Sequence, residues 1–385
     1  MRLRGSLIGR RAVNLAFMIL RRPWIERRER RRWRTGAKTG NGPARVFYGF
    51  ERLPSADEET SGGIVKCQDL QLLFPDDPVA PRILYLVSSA FPPHAPLLVR
   101  LCRRDGGKVV LNQNGVAYPG WHGPGWEETN VPMAEIHALA DHVFYQSAFC
   151  QRCAQKFLGK RDGSAEILYN PVDTSVFTPP ETPRAVTEPV LLLAGSHEFR
   201  YRMTSAVDTL CALVRTMPAA RLLIAGRCRW LPAEAASVKD LEDYARAKGV
   251  RESVDIEGAY TQREAPGLYR RAHVLLHTKY NDPCPRVVVE AMACGLPVVY
   301  SASGGVPEQV GGDAGVGIEA AQDWERDHPP DPSELCGAVL CVLRDYERFS
   351  SAARKRARNR FSLEPWLDRH RKVFSSLVSE AGKRA

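Results

Sequence analysis

The chain has 385 residues, more than one hydrophobic core usually supports, so we expect two domains. Hydrophobic residues make up 44% of the sequence and charged residues 25%, which excludes a disordered chain and a polytopic membrane protein. The net charge of +10 suggests nucleic acid as a partner, but residues 1–34 alone contain twelve arginines and two glutamates. The rest of the chain balances 42 basic against 42 acidic side chains, so we expect no nucleic-acid binding.

Residues 1–44 form a basic arm around one apolar run, residues 12–20, which is far shorter than the ~20 residues that span a bilayer. The run lacks a small-residue cleavage site, so we do not expect export. A helix with Leu15, Phe17 and Trp24 among the arginines can lie on an anionic membrane surface, with residues 1–34 as the contact. A disordered basic leader is the alternative. The expected location is the cytoplasm, with the inner face of the membrane as a peripheral site.

The ten cysteines show no repeated short spacing, which is typical of reduced thiols in a cytosolic protein. Cys150 and Cys153 form one CxxC pair, but a zinc site needs a second pair of ligands at similar spacing. The sequence also has no convincing Asp-x-Asp or histidine cluster. We therefore expect neither a metal ion nor a cofactor.

Short apolar runs alternate with helical patterns after the arm, which indicates parallel α/β units. The expected first domain is 45–170 and the second is 190–360, joined by a proline-containing linker at 171–189. A C-terminal helix at 361–385 is expected to cross back to the first domain. The predicted strands are Arg45–Gly49, Arg82–Ser88, Lys108–Asn112, His142–Gln146, Ala165–Tyr169, Val190–Ala194, Arg221–Ala225, Ser253–Ile256, His273–Thr278, Pro297–Tyr300 and Val316–Ile318.

The most informative segment runs from Asp282 to Val299 and couples a loop, a helix and a strand. Asp282 follows a predicted strand, at the edge where open α/β sheets bind ligands, and Glu290 lies about two helical turns later. The amino end of a helix that starts near Pro285 can face a diphosphate, while the two carboxylates accept hydrogen bonds from sugar and ribose hydroxyls. An acid pair that caps a buried helix is the structural alternative.

The spacing of a carboxylate, seven residues and Glu-Ala-Met-Ala-x-Gly-x-Pro-Val-Val resembles the signature of retaining family-4 glycosyltransferases, the glycosyl transferases group 1. The linker sequence that begins at Asn170 is similar to the interdomain motif of the same family. The resemblance implies an α/β fold of GT-B architecture, with two facing Rossmann-like doubly wound domains and a cleft between them. It also implies that Asp282 holds the donor sugar and Glu290 the ribose. Arg286, in the loop between them, is a further donor-binding candidate.

Three other segments are similar to donor-site elements of that family. Its arginine and lysine that neutralise the diphosphate follow the first strand of the second domain, where this chain has Gly195 and then Arg200 and Arg202; of these two, Arg202 is the stronger candidate. A solvated basic turn is the alternative for these arginines. A simple turn is the alternative for the loop at 303–308, and a flexible surface loop is the alternative for the loop at 61–63. The remaining donor-binding candidates are Gly304, Gly305 and Glu308 after the signature, and Gly62 and Gly63 in the first glycine-rich loop.

On the acceptor side many relatives carry a histidine where this chain has Asn114, which can bind a hydroxyl but cannot act as a base near neutral pH. His122 from the next loop is a candidate to enter the cleft. Trp121 and Trp126, with Tyr118, are candidates for a sugar-stacking platform. A packed surface loop is the alternative reading for these residues.

The sequence thus predicts a hexosyl-transferring, metal-independent glycosyltransferase. The donor is a nucleoside-diphosphate sugar, the acceptor hydroxyl belongs to a glycan or a lipid-linked glycan, and the anomeric configuration is retained. Polysaccharide or surface-glycan synthesis is the expected setting. Two alternatives are a nucleotide-sugar epimerase and a catalytically inactive scaffold at the membrane.

Overall fold

The computed structural model describes residues 23–36, 43–182 and 185–382. They contain two parallel β-sheets with helices on both faces, which confirms the expected α/β class. All eleven predicted strands are present, with ends that differ by a few residues. The strands are β1 Val46–Phe47, β2 Ile83–Val87, β3 Lys108–Gln113, β4 His142–Tyr145, β5 Ser164–Ile167, β6 Val190–Ala194, β7 Arg221–Ala225, β8 Val254–Glu257, β9 Val274–His277, β10 Val298–Ala302 and β11 Gly315–Glu319.

Helices precede, connect and follow these strands, and the first of them, α1, covers residues 23–36. Three helices end the described chain. The other helices are α2 Gly62–Gln71, α3 Ala95–Arg104, α4 Pro119–His122, α5 Trp126–Leu139, α6 Ala148–Phe157, α7 Arg200–Leu213, α8 Glu234–Ala247, α9 Ala265–Tyr269, α10 Arg286–Ala293, α11 Val306–Val310, α12 Pro332–Arg344, α13 Tyr346–Arg360 and α14 Leu363–Gly382.

The two sheets differ in strand order. The N-terminal strands follow one another as β1-β2-β3-β4-β5, with α2 and α14 packed on one face and α3, α5 and α6 on the other. The C-terminal order is β11-β10-β9-β6-β7-β8, so the direction of winding reverses between β6 and β9. In sheets of this kind ligands bind at the reversal, outside the carboxyl ends of the strands. The order thus marks the edge next to β6 and β9 as the ligand edge.

Helix α1 packs against the N-terminal sheet through one face. Trp33 is 1% exposed and its ring contacts Phe47 of β1, while Ile25 is also buried. Glu29 is buried on the same face and its carboxylate accepts from Arg32 at 2.8 Å. This part of the basic arm is therefore tied to the first domain. The apolar run at 12–20 lies outside the described residues, and no helix in the described part of the chain is long and apolar enough to cross a membrane.

The C-terminal helix α14 packs on the N-terminal sheet, although it follows the C-terminal domain in the sequence. Trp366 and Phe374 join the core of β1 and β2. His370, fully buried on the same face, lies 3.2 Å from the Tyr85 hydroxyl and 2.9 Å from the Trp366 carbonyl oxygen. Burial lowers the pKa of His370 to about 3, so the ring is neutral at pH 7. It can donate its N–H to the Trp366 carbonyl oxygen and accept from the Tyr85 hydroxyl.

Candidate active site

A cavity of about 560 Å³ lies between the two domains at the carboxyl ends of β9, β6, β7 and β8. The N-terminal domain closes it with the loop 58–62, whose Glu59 forms an ion pair with Arg227 of the other domain. Asp57 next to this loop pairs with Arg263 at 2.5 Å. The cavity is therefore an interdomain cleft held on one side by charge pairs. Its lining residues are Glu58, Glu59, Thr60, Ser61, Gly62, Val65, Ala194, Gly195, Ser196, Arg202, Gly226, Arg227, Arg229, Ala259, Tyr260, Thr261, Gln262, His277, Lys279, Asp282, Pro285, Arg286, Val287 and Glu290.

Asp282 lies in this cleft with its carboxylate between two basic side chains. Its Oδ2 is 3.2 Å from Nε2 of His277 and 3.4 Å from Nζ of Lys279. Burial alone would raise the pKa of Asp282, but Lys279, His277 and Arg202 outweigh it and hold that pKa well below its ordinary value. Asp282 is therefore ionised throughout the physiological range and can accept hydrogen bonds from sugar hydroxyls.

The loop that carries Asp282 is held by close backbone packing. Asn281 has a φ of 49°, in the left-handed region, and its amide donates to Ser303 at 2.8 Å. The Gly305 amide donates to the Asp282 carbonyl oxygen at 2.9 Å, and Gly304 lies so close to that carbonyl that a Cβ would overlap it. The two glycines therefore fix the loop from behind, and they do not line the cleft. The direct contact of Gly304 and Gly305 with a donor phosphate stays a prediction.

Arg202 and Arg200 occupy different surroundings. Arg202 lines the cleft, is 3% exposed and donates to the Ser196 carbonyl oxygen at 2.6 Å. Burial lowers the pKa of Arg202, and Asp282 is the largest opposing charge. Arg200 lies on the outer side of α7, where it pairs with Asp240 of α8 at 2.6 Å. The structure thus brings only Arg202 of this pair to the cleft, because the first turn of α7 directs the two side chains apart.

Glu290 is the centre of a buried network. Its Oε1 accepts from Gln262 at 2.9 Å and from Arg286 at 2.7 Å, and its Oε2 accepts from Tyr269 at 2.9 Å. Arg286 also donates to Asp69 of α2 at 2.5 Å, which joins the two domains directly. Burial alone would lower the pKa of Arg286, but Asp69 and Glu290 hold it above its ordinary value. Arg286 is therefore paired with two carboxylates. A ribose bound at Glu290 would share that carboxylate with Arg286, Gln262 and Tyr269.

The backbone at the start of α10 offers fewer donors than most such loops. Pro283 and Pro285 have no N–H group, so the amides of Cys284, Arg286 and Val287 are the ones that remain. Pro285, Arg286 and Val287 line the cleft at the amino end of α10. Two amides with the positive end of the helix dipole behind them therefore face the space next to Arg202 and Asp282.

The glycines that line the cleft leave room for a ligand. Gly195, directly after β6, has a φ of +107°, which L side chains rarely adopt. A Cβ on Gly62 would meet nothing within 4 Å, so the space in front of it is open. Gly63 is buried behind it against Ala90. Gly195 and Gly62 therefore line the cleft, Gly63 packs behind the loop, and their role in donor binding stays a prediction.

Glu308 takes part in the domain interface. Its carboxylate accepts from the amides of Ala148 and Phe149 at 2.7 and 2.9 Å and from the Tyr169 hydroxyl at 3.1 Å. These amides form the amino end of α6 in the first domain, so Glu308 caps a helix across the interface. It does not line the cleft, and both carboxylate oxygens already have partners.

The predicted acceptor residues are spread over the domain interface. The backbone N–H of Asn114 donates to the Ser88 hydroxyl at 2.8 Å, and the next residue, Gly115, packs against Pro283. His122 lies 3.0 Å from the Thr129 hydroxyl on the surface, and Trp121 is 37% exposed. None of Asn114, Trp121 and His122 lines the cleft, although Asn114 lies beside its donor loop.

Tyr118 and Trp126 do not form the expected stacking platform. Tyr118 is 4% exposed and packs against Phe157 and Trp324, and Trp126 packs edge-on against Phe157. Trp324 belongs to the segment after β11, so this aromatic cluster joins the two domains. The expectation of a platform is wrong for Tyr118, because the ring that a sugar would need is buried by protein, whereas Trp126 is half-buried against Phe157.

The structure adds cleft residues that the sequence reasoning missed. His277 and Lys279 lie five and three positions before Asp282. Lys279 could have been predicted because it is a cation in the same short loop as Asp282. Arg227 and Arg229 follow β7 at the same edge as the other ligand loops, so strand order would have pointed to them. No group of three or more potential metal ligands occurs among the residues described.

Residues 177–326 match the family model described as glycosyl transferases group 1. The match includes Arg202, Asp282 and Glu290, and it confirms the resemblance found in the sequence. The matched residues thus contain the C-terminal side of the cleft.

Curated relatives match about half of the chain. A D-inositol 3-phosphate glycosyltransferase of Xylanimonas cellulosilytica is 30% identical over 49% of this chain and 45% of its own length. A glycogen synthase of Mycobacterium tuberculosis is 30% identical over 50% of this chain and 44% of its own length. This chain therefore spans less than half the length of the curated relatives it matches.

Solved structures share the fold at low sequence identity. Sucrose-phosphate synthase from Thermosynechococcus elongatus aligns with a TM-score of 0.63 at 18% identity, over 82% of this chain and 77% of that chain. HepE from Anabaena, in complex with UDP-glucose, aligns with a TM-score of 0.62 at 19% identity, over 77% and 79%. The two facing domains with a cleft between them are therefore of GT-B architecture.

Proposed function

We propose that the chain transfers a hexosyl group from a nucleoside-diphosphate sugar to an acceptor hydroxyl, with the anomeric configuration retained. The observation that carries the proposal is that one cleft is lined by Asp282, by the amino end of α10 with Arg202, and by Glu290. A carboxylate suits sugar hydroxyls, a helix end and a guanidinium suit a diphosphate, and a second carboxylate suits ribose hydroxyls. The HepE complex with UDP-glucose supports the same class of donor.

In the proposed reaction the bond between the anomeric carbon and the diphosphate oxygen breaks, and the acceptor oxygen bonds to the same face of that carbon. The acceptor proton passes to the departing phosphate oxygen. Arg202, Lys279 and the amino end of α10 stabilise the negative charge that grows on the diphosphate. Because protein cations and backbone amides neutralise the charge of the diphosphate in this reaction, no metal ion is needed.

Acceptor and location stay predictions. The exposed face of α1 carries Arg27, Arg30, Arg31 and Arg34 at helical spacing, which supports an anionic surface as a contact. A contact through this face would tether the protein to such a surface. Sedimentation with phosphatidylglycerol vesicles tests it.

Turnover of UDP-, GDP-, ADP- and TDP-hexoses by the full chain, with glycan acceptors and an excess of EDTA, tests the reaction. We expect one donor to release its nucleoside diphosphate in EDTA, and proton NMR of the product to show the donor's anomeric configuration. An inverted product would contradict retention, and activity that appears only with added Mg²⁺ would contradict metal independence. Conversion of the donor alone into another nucleotide sugar would indicate an epimerase instead.

A further inference from the structure

The strand order assigns each end of the cleft to one part of a donor. The lining loops follow β9, β6, β7 and β8, which are neighbours in that order in the sheet. Strands are about 4.8 Å apart, so the loop after β8 lies roughly 14 Å from Asp282 after β9. A ligand with its sugar at Asp282 and its diphosphate over β6 therefore extends its nucleoside towards the loops after β7 and β8.

The nucleoside end of the cleft contains one uncommitted cation. Arg229 follows β7, lines the cleft and is exposed, and no ion pair or side-chain hydrogen bond to it is present among the described residues. Tyr260, after β8, contributes an aromatic ring to the same end. Donors are therefore available here to a base, together with a ring on which its face can lie.

The acidic side chains at this end are already paired. Glu59 binds Arg227, Glu58 accepts from Arg52 at 2.7 Å, and Glu290 accepts from Arg286. Among the described residues, each carboxylate that lines this end thus has a cationic partner, whereas Arg229 has none. The side-chain chemistry thus favours a base that presents acceptors.

Guanine fits this chemistry best among the common bases. A guanidinium has several N–H donors and no acceptor, and it pairs in a bidentate manner with the adjacent O6 and N7 acceptors of guanine. Adenine and cytosine present an amino donor on the corresponding edge, and uracil presents a single keto oxygen there. We propose that the cleft prefers guanosine-diphosphate sugars and that Arg229 selects them through O6 and N7. This inference rests on the proposed function and specifies its donor.

Calorimetric titration of the full chain with GDP, UDP and ADP tests the preference. We expect GDP to bind at least about tenfold more tightly than UDP or ADP, the discrimination of one bidentate contact. Arg229→Ala should weaken GDP binding by roughly tenfold and change UDP and ADP binding by less than about threefold. Arg215→Ala removes the same charge from an exposed site away from the cleft and should change none of the three.

The diphosphate of 7-deazaguanosine lacks only the N7 acceptor and separates base recognition from charge. It should bind more weakly than GDP to the unaltered protein and as well as GDP to Arg229→Ala. Tighter binding of UDP or ADP than GDP, or an equal loss for all three nucleotides in Arg229→Ala, overturns the inference while leaving the proposed function in place. Absence of binding by any nucleoside diphosphate overturns both.

Discussion

Replacing Asp282 with asparagine lowers kcat/KM for glycosyl transfer by about 100-fold or more. The substitution keeps the size of the side chain but removes the charge that faces Lys279 and His277 in the cleft. Removal of one preorganised hydrogen-bonding group from an active site costs about 2.7–4 kcal/mol of transition-state stabilisation, and we expect a similar cost here. Because the amide also donates N–H groups, the acceptor sites for the sugar hydroxyls are halved. Steady-state kinetics with the donor found in the turnover screen measures the effect.

The control for this substitution is Asp243→Asn, which removes an exposed carboxylate of α8 that pairs with Lys239 at 2.8 Å. Surface pairs of this kind contribute little, so kcat/KM and the melting temperature should stay close to those of the unaltered protein. The circular dichroism spectrum of Asp282→Asn should also be unchanged. An Asp282→Asn variant that folds and retains full kcat/KM would remove Asp282 from the site.

Replacing Arg286 with alanine destabilises the protein by about 3–5 kcal/mol. Arg286 bridges Asp69 and Glu290, and its removal leaves two buried carboxylates without their cation. Burial raises the pKa of Asp69, with Arg286 as the main opposing charge, so loss of the arginine raises it further. A carboxyl group whose pKa is raised by folding favours the fold at low pH. The stability deficit of the variant should therefore be smaller at pH 5 than at pH 7.5.

Urea unfolding at the two pH values measures this deficit. The double variant Asp69→Asn with Arg286→Ala serves as the matched control, because it removes one of the two stranded carboxylates and should recover part of the lost stability. A deficit that is below about 1 kcal/mol, or that grows as the pH falls, would show that the Arg286 bridge does not stabilise the closed domains.

The strands and the centre of the site could be predicted from the sequence because both depend on local patterns. Buried parallel strands such as β6 and β9 read as continuous apolar runs, and their ends are marked by glycine or polar residues. The eight-residue step from Asp282 to Glu290 covers a loop and about one helical turn. These features need no knowledge of the other domain.

Contacts between distant residues could not be predicted in the same way. Asp69 and Arg286 are 217 positions apart, and Glu308 caps a helix 160 positions earlier. Nothing in the local pattern of Glu308 distinguishes a helix cap from a phosphate site. Similarly, Tyr118 belongs to a loop whose aromatic composition is typical of sugar binding, but Trp324 from the other domain covers its ring. The pairing of the two domains decides these roles.

The crystal structure of the full chain with the nucleoside diphosphate that binds most tightly tests the central claim most directly. The account predicts the diphosphate within about 2.7–3.2 Å of Arg202 or of the amides that begin α10, and the ribose hydroxyls at Glu290. A nucleotide bound outside the cleft, or with its phosphates away from Arg202 and α10, would contradict it.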